Sequence, residues 1–490
     1  MKDDHARKGA PTRALERMRL GKRGNQTRTG KRVARALLAA CLVLGAVPAF
    51  AYISVPRVGG LNGTGPTAEM VTSIYANPAA IGRLTGSHFF FDANGTYLVA
   101  RFTRDGIDPA TRGKYGEVGT AYLSPIPFVG FTTDFGRNDL TWGAAAYAPF
   151  GRNALWPKDG TQRYELTTLD IKGYTLTSAL SYRFGHNLML GGGVSLVYFT
   201  LDTARSYDLA PSFYTLSEEF LHYSFPQGTV PYQSSLWEAR IRARQGGFSW
   251  GWNVGLLISP VDWLDLGASY TSHVPLALRG TFTLDLPTTP FALFGLVQLP
   301  WGVKSLLEMI AGIRTPDRVK GTTVMRLTLP QNVAAGATFH ASRRVDVDLS
   351  ARWTDWAEYK DLAVTFHSEN SQLELPKDRI PLRNVPAWEF AGLLRVRPIE
   401  ILTVGLGALY ETDLIPERWS SAYNVNAPKI DAMAYFDWKV APKVAWGLGY
   451  SHVFFFDKDV DHSAVGVTGS ALGRYQVSVD RLGAHVDVAW

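Results

Sequence analysis

The sequence predicts an all-β protein: a 14-stranded antiparallel transmembrane β-barrel with a small N-terminal plug, or hatch, in its lumen. Three observations lead there. An export signal precedes a chain with no apolar run long enough to cross a membrane as a helix, many segments alternate with a period of two residues, and the connections between them alternate between short and long.

The export signal emerges once the charge is divided. The 490-residue chain carries a net +7, but residues 1–51 hold twelve Lys/Arg and three acids, which leaves −2 for the remainder. The basicity belongs to the leader, so bulk charge gives no reason to expect a nucleic-acid partner. Arg28, Lys31, Arg32 and Arg35 form a basic n-region, 36–47 a short apolar stretch, and Ala49, Phe50 and Ala51 a small-x-small cleavage site. Residues 1–51 are therefore expected to be a cleaved signal peptide, with Met18 as an alternative start. The one cysteine, Cys41, lies within it. A lipoprotein box at Leu38–Cys41 is rejected because too little apolar sequence separates Arg35 from the cysteine. The exported chain, starting near Tyr52, is expected to carry neither disulfide nor thiolate metal site.

The alternation is clearest late in the chain. Val345, Val347, Leu349, Ala351 and Trp353 point one way, and Asp346, Asp348, Ser350 and Arg352 the other. Val444, Trp446, Leu448 and Tyr450 oppose small residues, and Leu482, Ala484, Val486, Val488 and Trp490 oppose Gly483, His485, Asp487 and Ala489. A sandwich also alternates, but long strands with one apolar face and one small or polar face suit a wall between lipid and lumen. Strands are expected near 88–104, 117–135, 139–150, 169–183, 187–203, 246–259, 263–282, 322–340, 344–367, 387–398, 400–412, 430–440, 442–456 and 475–490. Six short turns, such as Gly136–Asn138 and Pro260–Asp262, alternate with seven long loops, the largest at 204–245 and 283–321. That pattern places both termini on the periplasmic side. The final strand is out of phase, with Tyr475, Val477 and Val479 against Leu482 onward, which predicts a bulge near Arg481 or a strand starting there. Residues 52–87 do not alternate and are the candidate plug; 88–490 is the barrel.

The histidines are scattered, and no GxSxG, HExxH or close His pair appears, so neither an enzyme nor a metal or other cofactor is expected. Ser73 to Gly82 contains Asn77-Pro78-Ala79 after a small-residue stretch. Tyr147-Ala148-Pro149-Phe150-Gly151 closes the third strand, and Leu329-Pro330-Gln331 leads through Gly336 to Trp353-Thr354-Asp355-Trp356. Ala408, Tyr410, Ile415 and Pro416 follow. In this order and spacing, across most of the exported chain, the motifs resemble the FadL-type transporters, outer-membrane barrels that take up long-chain fatty acids and other hydrophobic compounds. One departure is a compressed hatch start, reduced to Gly59, Gly60, Gly63 and Gly65 with Glu69 as the lone acid.

The resemblance implies roles for particular residues. Asn77, Pro78 and Ala79 would seat the hatch; an ordinary loop turn is the plainer alternative. The fourth long loop is too apolar for a solvated one. The resemblance implies a substrate groove there, with Phe291, Phe294, Leu296, Trp301, Leu306, Leu307 and Met309 as candidates, against an amphipathic loop helix packed on its own barrel. Arg352 and Arg395 face the lumen by alternation and are candidate partners for a substrate carboxylate, or members of an ion-pair network with Asp346, Asp348 or Glu389. Gly143, Pro149 and Gly151 would weaken strand three and open the wall sideways toward lipid; a plain strand end is the alternative. The expected partners are long-chain fatty acids or other lipophiles, outer-membrane lipid, and the barrel assembly machinery through the C-terminal strand ending at Trp490. A polar-solute porin and a barrel-anchored surface binding protein are the rival readings.

Overall fold

The computed structural model describes residues 65–490 except 109–110, 186, 288–289, 294–296, 303–317, 359–360, 370–377, 422–424, 465–469 and most of 212–230. The signal-peptide expectation, residues 1–51, lies outside them. Fourteen strands form the wall. The first six are β1 Ser87–Arg104, β2 Glu117–Thr133, β3 Leu140–Leu155, β4 Thr168–Phe184, β5 Leu188–Asp208 and β6 Glu238–Val261. Four more are each in two pieces: β7 Leu264–Thr271 and Val274–Asp285, β8 Arg318–Leu329 and Asn332–Ser342, β9 Val345–Thr354 and Asp361–Ser368, and β10 Asp378–Pro381 and Ala387–Ile399. The rest are β11 Leu402–Glu411, β12 Lys429–Ala441, β13 Val444–Phe455 with Lys458–Val460, and β14 Gly473–Ala489. Each pairs antiparallel with its neighbours in sequence. The ring closes where β1 pairs with β14 from His88↔Ala489 to Arg104↔Gly473. Trp490 seals that seam at its turn end, its N–H donating to Ser87 O (2.9 Å) and its O accepting from Ser87 N–H (3.0 Å).

The register corrects the reading of β14. It runs against β1 without a shift, so no bulge lies near Arg481 and the strand does not start there. The phase changes because the side chains change faces, not because the backbone does. Leu482 and Val486 are exposed on the outer wall, whereas Tyr475 and Val479 are buried inside. The same inversion occurs elsewhere. On β6, Ile241 and Ala243 point inward beneath exposed Arg240, Arg242 and Arg244, while lower down Asn253 points inward and Trp250, Trp252 and Val254 point out.

The lumen therefore has two halves, where small and polar faces were expected throughout. Toward the loops it is largely apolar: Phe102, Leu169, Phe199, Leu201, Ile241, Leu276, Leu278, Phe282 and Met325 form one buried cluster, joined by the loop residues Trp156, Leu166, Trp356, Leu414 and Ile415, with the buried pairs Lys429–Glu411 and Arg163–Glu238 at the same end. Toward the turns it is charged, with Asp265, His340, Asp346, Asp348, Arg395 and Arg397 around a common space. The inverted phase also hid strand. β5 reaches Asp208 and β6 begins at Glu238, so the expected loop 204–245 is much shorter. Outward arginines made that wall look like a solvated loop in the sequence.

Candidate functional site

The hatch is built around Asn77. A short helix, Ser73–Ala76, ends at Asn77, whose backbone is extended (φ −160°, ψ 100°) as a residue before proline prefers. Its carboxamide is fully buried. Nδ2 donates to Pro66 O at 2.5 Å and to Leu256 O of β6 at 3.0 Å, and Oδ1 accepts from the Ala79 N–H at 3.1 Å. One side chain thus folds the turn and pins it to the wall. More wall groups hold the neighbouring carbonyls: Asn253 Nδ2 donates to Ile74 O (2.9 Å) and Ser181 Oγ to Ala79 O (2.8 Å). Arg83 forms a bidentate pair with Asp265 of β7 (2.6 and 2.5 Å), and Asp265 also meets His340 Nε2 (2.9 Å). Apolar contacts complete the seat. Val71, Ile74 and Ile81 pack with Phe90, Phe128, Ala145 and Tyr147.

Close approach is possible because the wall is glycine where the hatch touches it. A β-carbon at Gly255 would overlap Asn77 Oδ1, and one at Gly191 would overlap the Pro78–Ala79 peptide. Gly143 belongs to this seat: its β-carbon would lie 2.8 Å from Ile74 Cδ1, and it is paired on both sides, with Thr132 and Ala179.

Above the hatch the wall breaks. β2 and β3 pair only from Thr133↔Trp142 to Phe128↔Tyr147. Beyond Tyr147, β3 bulges against β4, the register shifting between Tyr147 and Phe150, with Pro149 in the bulge. The open reach ends where Thr120 Oγ1 donates to Leu155 O (2.9 Å). The edge of β2 is encoded by Pro125 and Pro127. The Asp134 N–H donates to Gly86 O (3.1 Å), so even-numbered residues of β2 bond β1 and odd-numbered ones face β3. Both prolines therefore turn their missing N–H groups toward β3. Pro149 and Gly151 lie in the unpaired reach of β3 and Gly143 does not. Sequence reasoning had singled out Pro149 but missed Pro125 and Pro127. The signal available was Pro at alternate positions of an otherwise apolar strand.

A small cavity of about 60 Å³ adjoins this break. Tyr75 of the hatch is on its floor, edge-on to Tyr147 at 5.3 Å between ring centres. Pro149, Phe150, Val197, Trp252, Leu329 and Trp356 supply apolar wall, with Thr175, Ser195 and Asn332 as polar points. A mainly apolar lining with a few polar points is typical of small-molecule sites.

The two candidate arginines are both ion-paired. Arg395 makes a bidentate pair with Asp348 (2.7 and 2.8 Å), while Arg352 lies 3.4 Å from Glu389 and keeps a buried Nε without a hydrogen-bond partner. Of the groove candidates, Phe294, Leu296, Leu306, Leu307 and Met309 lie outside the described residues. The backbones of Phe291 and Trp301 belong to a hairpin, Pro290–Leu293 with Val297–Gly302, apart from the barrel sheet.

A closed barrel of the outer membrane, plugged by its own N-terminal segment and with a large apolar cluster above the plug, defines a channel for hydrophobic compounds. The chain belongs to the outer membrane protein transport family OMPP1/FadL/TodX, whose profile matches residues 59–486. Its members are transport channels rather than enzymes. Three solved structures share the fold. A Pseudomonas aeruginosa FadL homologue is 16% identical, with a TM-score of 0.70 over 91% of this chain and 99% of that one. The P. putida toluene transporter TodX is 13% identical (TM-score 0.61; 88% and 99%). The Ralstonia pickettii toluene transporter TbuX is 15% identical (TM-score 0.59; 88% and 100%). A search of curated protein sequences gave no match.

Proposed function

We propose that this channel takes up long-chain fatty acids or similarly apolar molecules by hatch-gated passive diffusion, and that the substrate leaves the lumen sideways through the break between β2 and β3. The observation that carries this is the apolar cavity with the hatch as its floor and the unpaired strand as its wall. A lipophile continuing straight down would enter the charged half, around Asp265, Asp346 and Arg395, and strip water from those groups without replacing it. The sideways route keeps it against apolar surface. Pro149 and Gly151 keep that route open, and Asn77, Pro78 and Ala79 hold the floor. The apolar fourth loop, including Phe291 and Trp301, is the proposed landing groove. No cofactor is needed, since the gradient and capture beyond the membrane drive flux.

Whole cells expressing the protein, offered labelled oleate, toluene or a small sugar, test the reading. Oleate or toluene uptake above empty cells, reduced in a folded Asn77→Ala variant, is the expected result. Sugar uptake without lipophile uptake would overturn it in favour of a polar-solute porin.

A further inference from the structure

One side of the barrel's outer surface carries unpaired positive charge. On β6 the even-numbered side chains share the outer face. Trp252, Trp250 and Phe248 are exposed in the upper aromatic belt, and Arg244, Arg242 and Arg240 follow immediately above. At about 3.3 Å per residue and a tilt of roughly 40°, those arginines begin within about 10–15 Å of the belt, the level of lipid headgroups. Register brings further cations alongside. Arg279 of β7 lies across from Gly246, and Arg326 and Lys320 of β8 lie across from Ala277 and Thr283, all exposed.

Only part of this charge is neutralised. Asp202 takes Arg242 (2.9 and 2.6 Å) and Arg244 (2.9 Å). Arg240, Arg279, Lys320 and Arg326 make no ion pair among the described residues. The opposite side of the barrel differs. There Arg101 faces Glu117 (3.9 Å) and Arg474 pairs with Asp459 (2.7 Å). Four unpaired cations just above an aromatic belt are complementary to an anionic partner at headgroup height. Guanidinium groups match phosphate in planar, two-point fashion.

We propose that the outer wall of β6–β8 is a binding surface for the phosphorylated headgroup of the outer-leaflet glycolipid, lipopolysaccharide. The phosphates meet Arg240, Arg279, Lys320 and Arg326, and the acyl chains lie on Phe248 and Trp250. The surface is separate from the cavity and the wall break, so its failure would leave the transport reading untouched.

Native mass spectrometry of the full barrel in detergent, titrated with bisphosphorylated lipid A and with the same lipid dephosphorylated, tests the proposal. Wild type is expected to bind the phosphorylated form at least tenfold more tightly. Arg240→Gln/Arg279→Gln/Lys320→Gln/Arg326→Gln is expected to lose that preference while keeping the heat-dependent gel shift of a folded barrel. Arg101→Gln/Arg474→Gln is expected to keep it. Equal binding of both lipids by wild type, or an unchanged preference in the quadruple variant, would overturn the proposal. So would oleate binding through the same four residues with no lipid A binding, which would make the patch a collector of substrate.

Discussion

Single residues set how firmly the hatch sits. Asn77 uses both amide N–H donors and its carbonyl oxygen on the hatch turn and on Leu256 of the wall, in a fully buried site. Asn77→Ala removes three bonds at about 1 kcal/mol each and takes this partner from the Pro66 carbonyl and the Ala79 N–H. The barrel's own ladder is untouched, so the expected outcome is a folded barrel with a loosened plug. Planar-bilayer recordings should show higher resting conductance than wild type. Unchanged conductance would mean that the glycine seat and Arg83 suffice. Asp134, in the turn after β2, holds the Gly86 and Gly136 N–H groups (2.7 and 2.8 Å) and so fixes where the hatch joins β1. Those bonds, that to Gly86 foremost, hold its carboxyl below the ordinary carboxylate range. A depressed carboxylate contributes stability above its unfolded pKa and loses it as pH falls through the folded one. Asp134→Asn is therefore expected to lower the unfolding temperature at pH 7, with the gap closing below about pH 4.

The wall strands encode both their pairing and its interruption. Pro125 and Pro127 leave β2 without donors toward β3, and Pro149 bulges β3 away. Pro125→Val/Pro127→Val restores two N–H groups on that edge and lets the strands zip further. Lipophile uptake is expected to fall several-fold with folding unimpaired; full uptake would show that the bulge at Pro149 alone keeps the reach open. Much of this scale was legible in the sequence. Alternation and the short–long rhythm of connections predicted fourteen strands, because a two-sided wall imposes a period of two on every one. The Asn77 motif stood out because Asn before Pro has few conformations. What stayed hidden had a common cause. Tyr475 and Val479 looked out of register, and Arg240 to Arg244 looked like loop, because the apolar face moves from lipid to lumen where the wall rises above the membrane. Alternation places Arg352 and Arg395 inward, with Asp346, Asp348 or Glu389 as candidate partners, and the pairs that form are Arg352–Glu389 and Arg395–Asp348, each between neighbouring strands.

The described interior changes with height: a large apolar cluster lies above the hatch, bordered by buried pairs such as Lys429–Glu411 and Arg163–Glu238, and a charged cluster lies toward the turns. On the proposed route, the charged cluster toward the turns makes the straight path downward costly for a lipophile. Ser195 lies on the cavity wall, away from the hatch hydrogen bonds. Ser195→Trp is expected to fill the cavity and reduce lipophile uptake without raising resting conductance. A rise in conductance would mean that the added ring displaces the hatch instead.

The most direct test is to staple the break. A β-carbon at Gly151 would lie 3.9 Å from Ser124 Oγ across the unpaired strands. The only native cysteine, Cys41, falls in the expected signal peptide. Ser124→Cys/Gly151→Cys can therefore be oxidised to a disulfide across the break and reduced again on intact cells expressing the variant. The sideways route predicts that oleate uptake falls to the level of empty cells on oxidation and returns on reduction, with each single cysteine variant unaffected. Undiminished uptake through the oxidised, cross-linked barrel would contradict it and send the substrate down past the hatch.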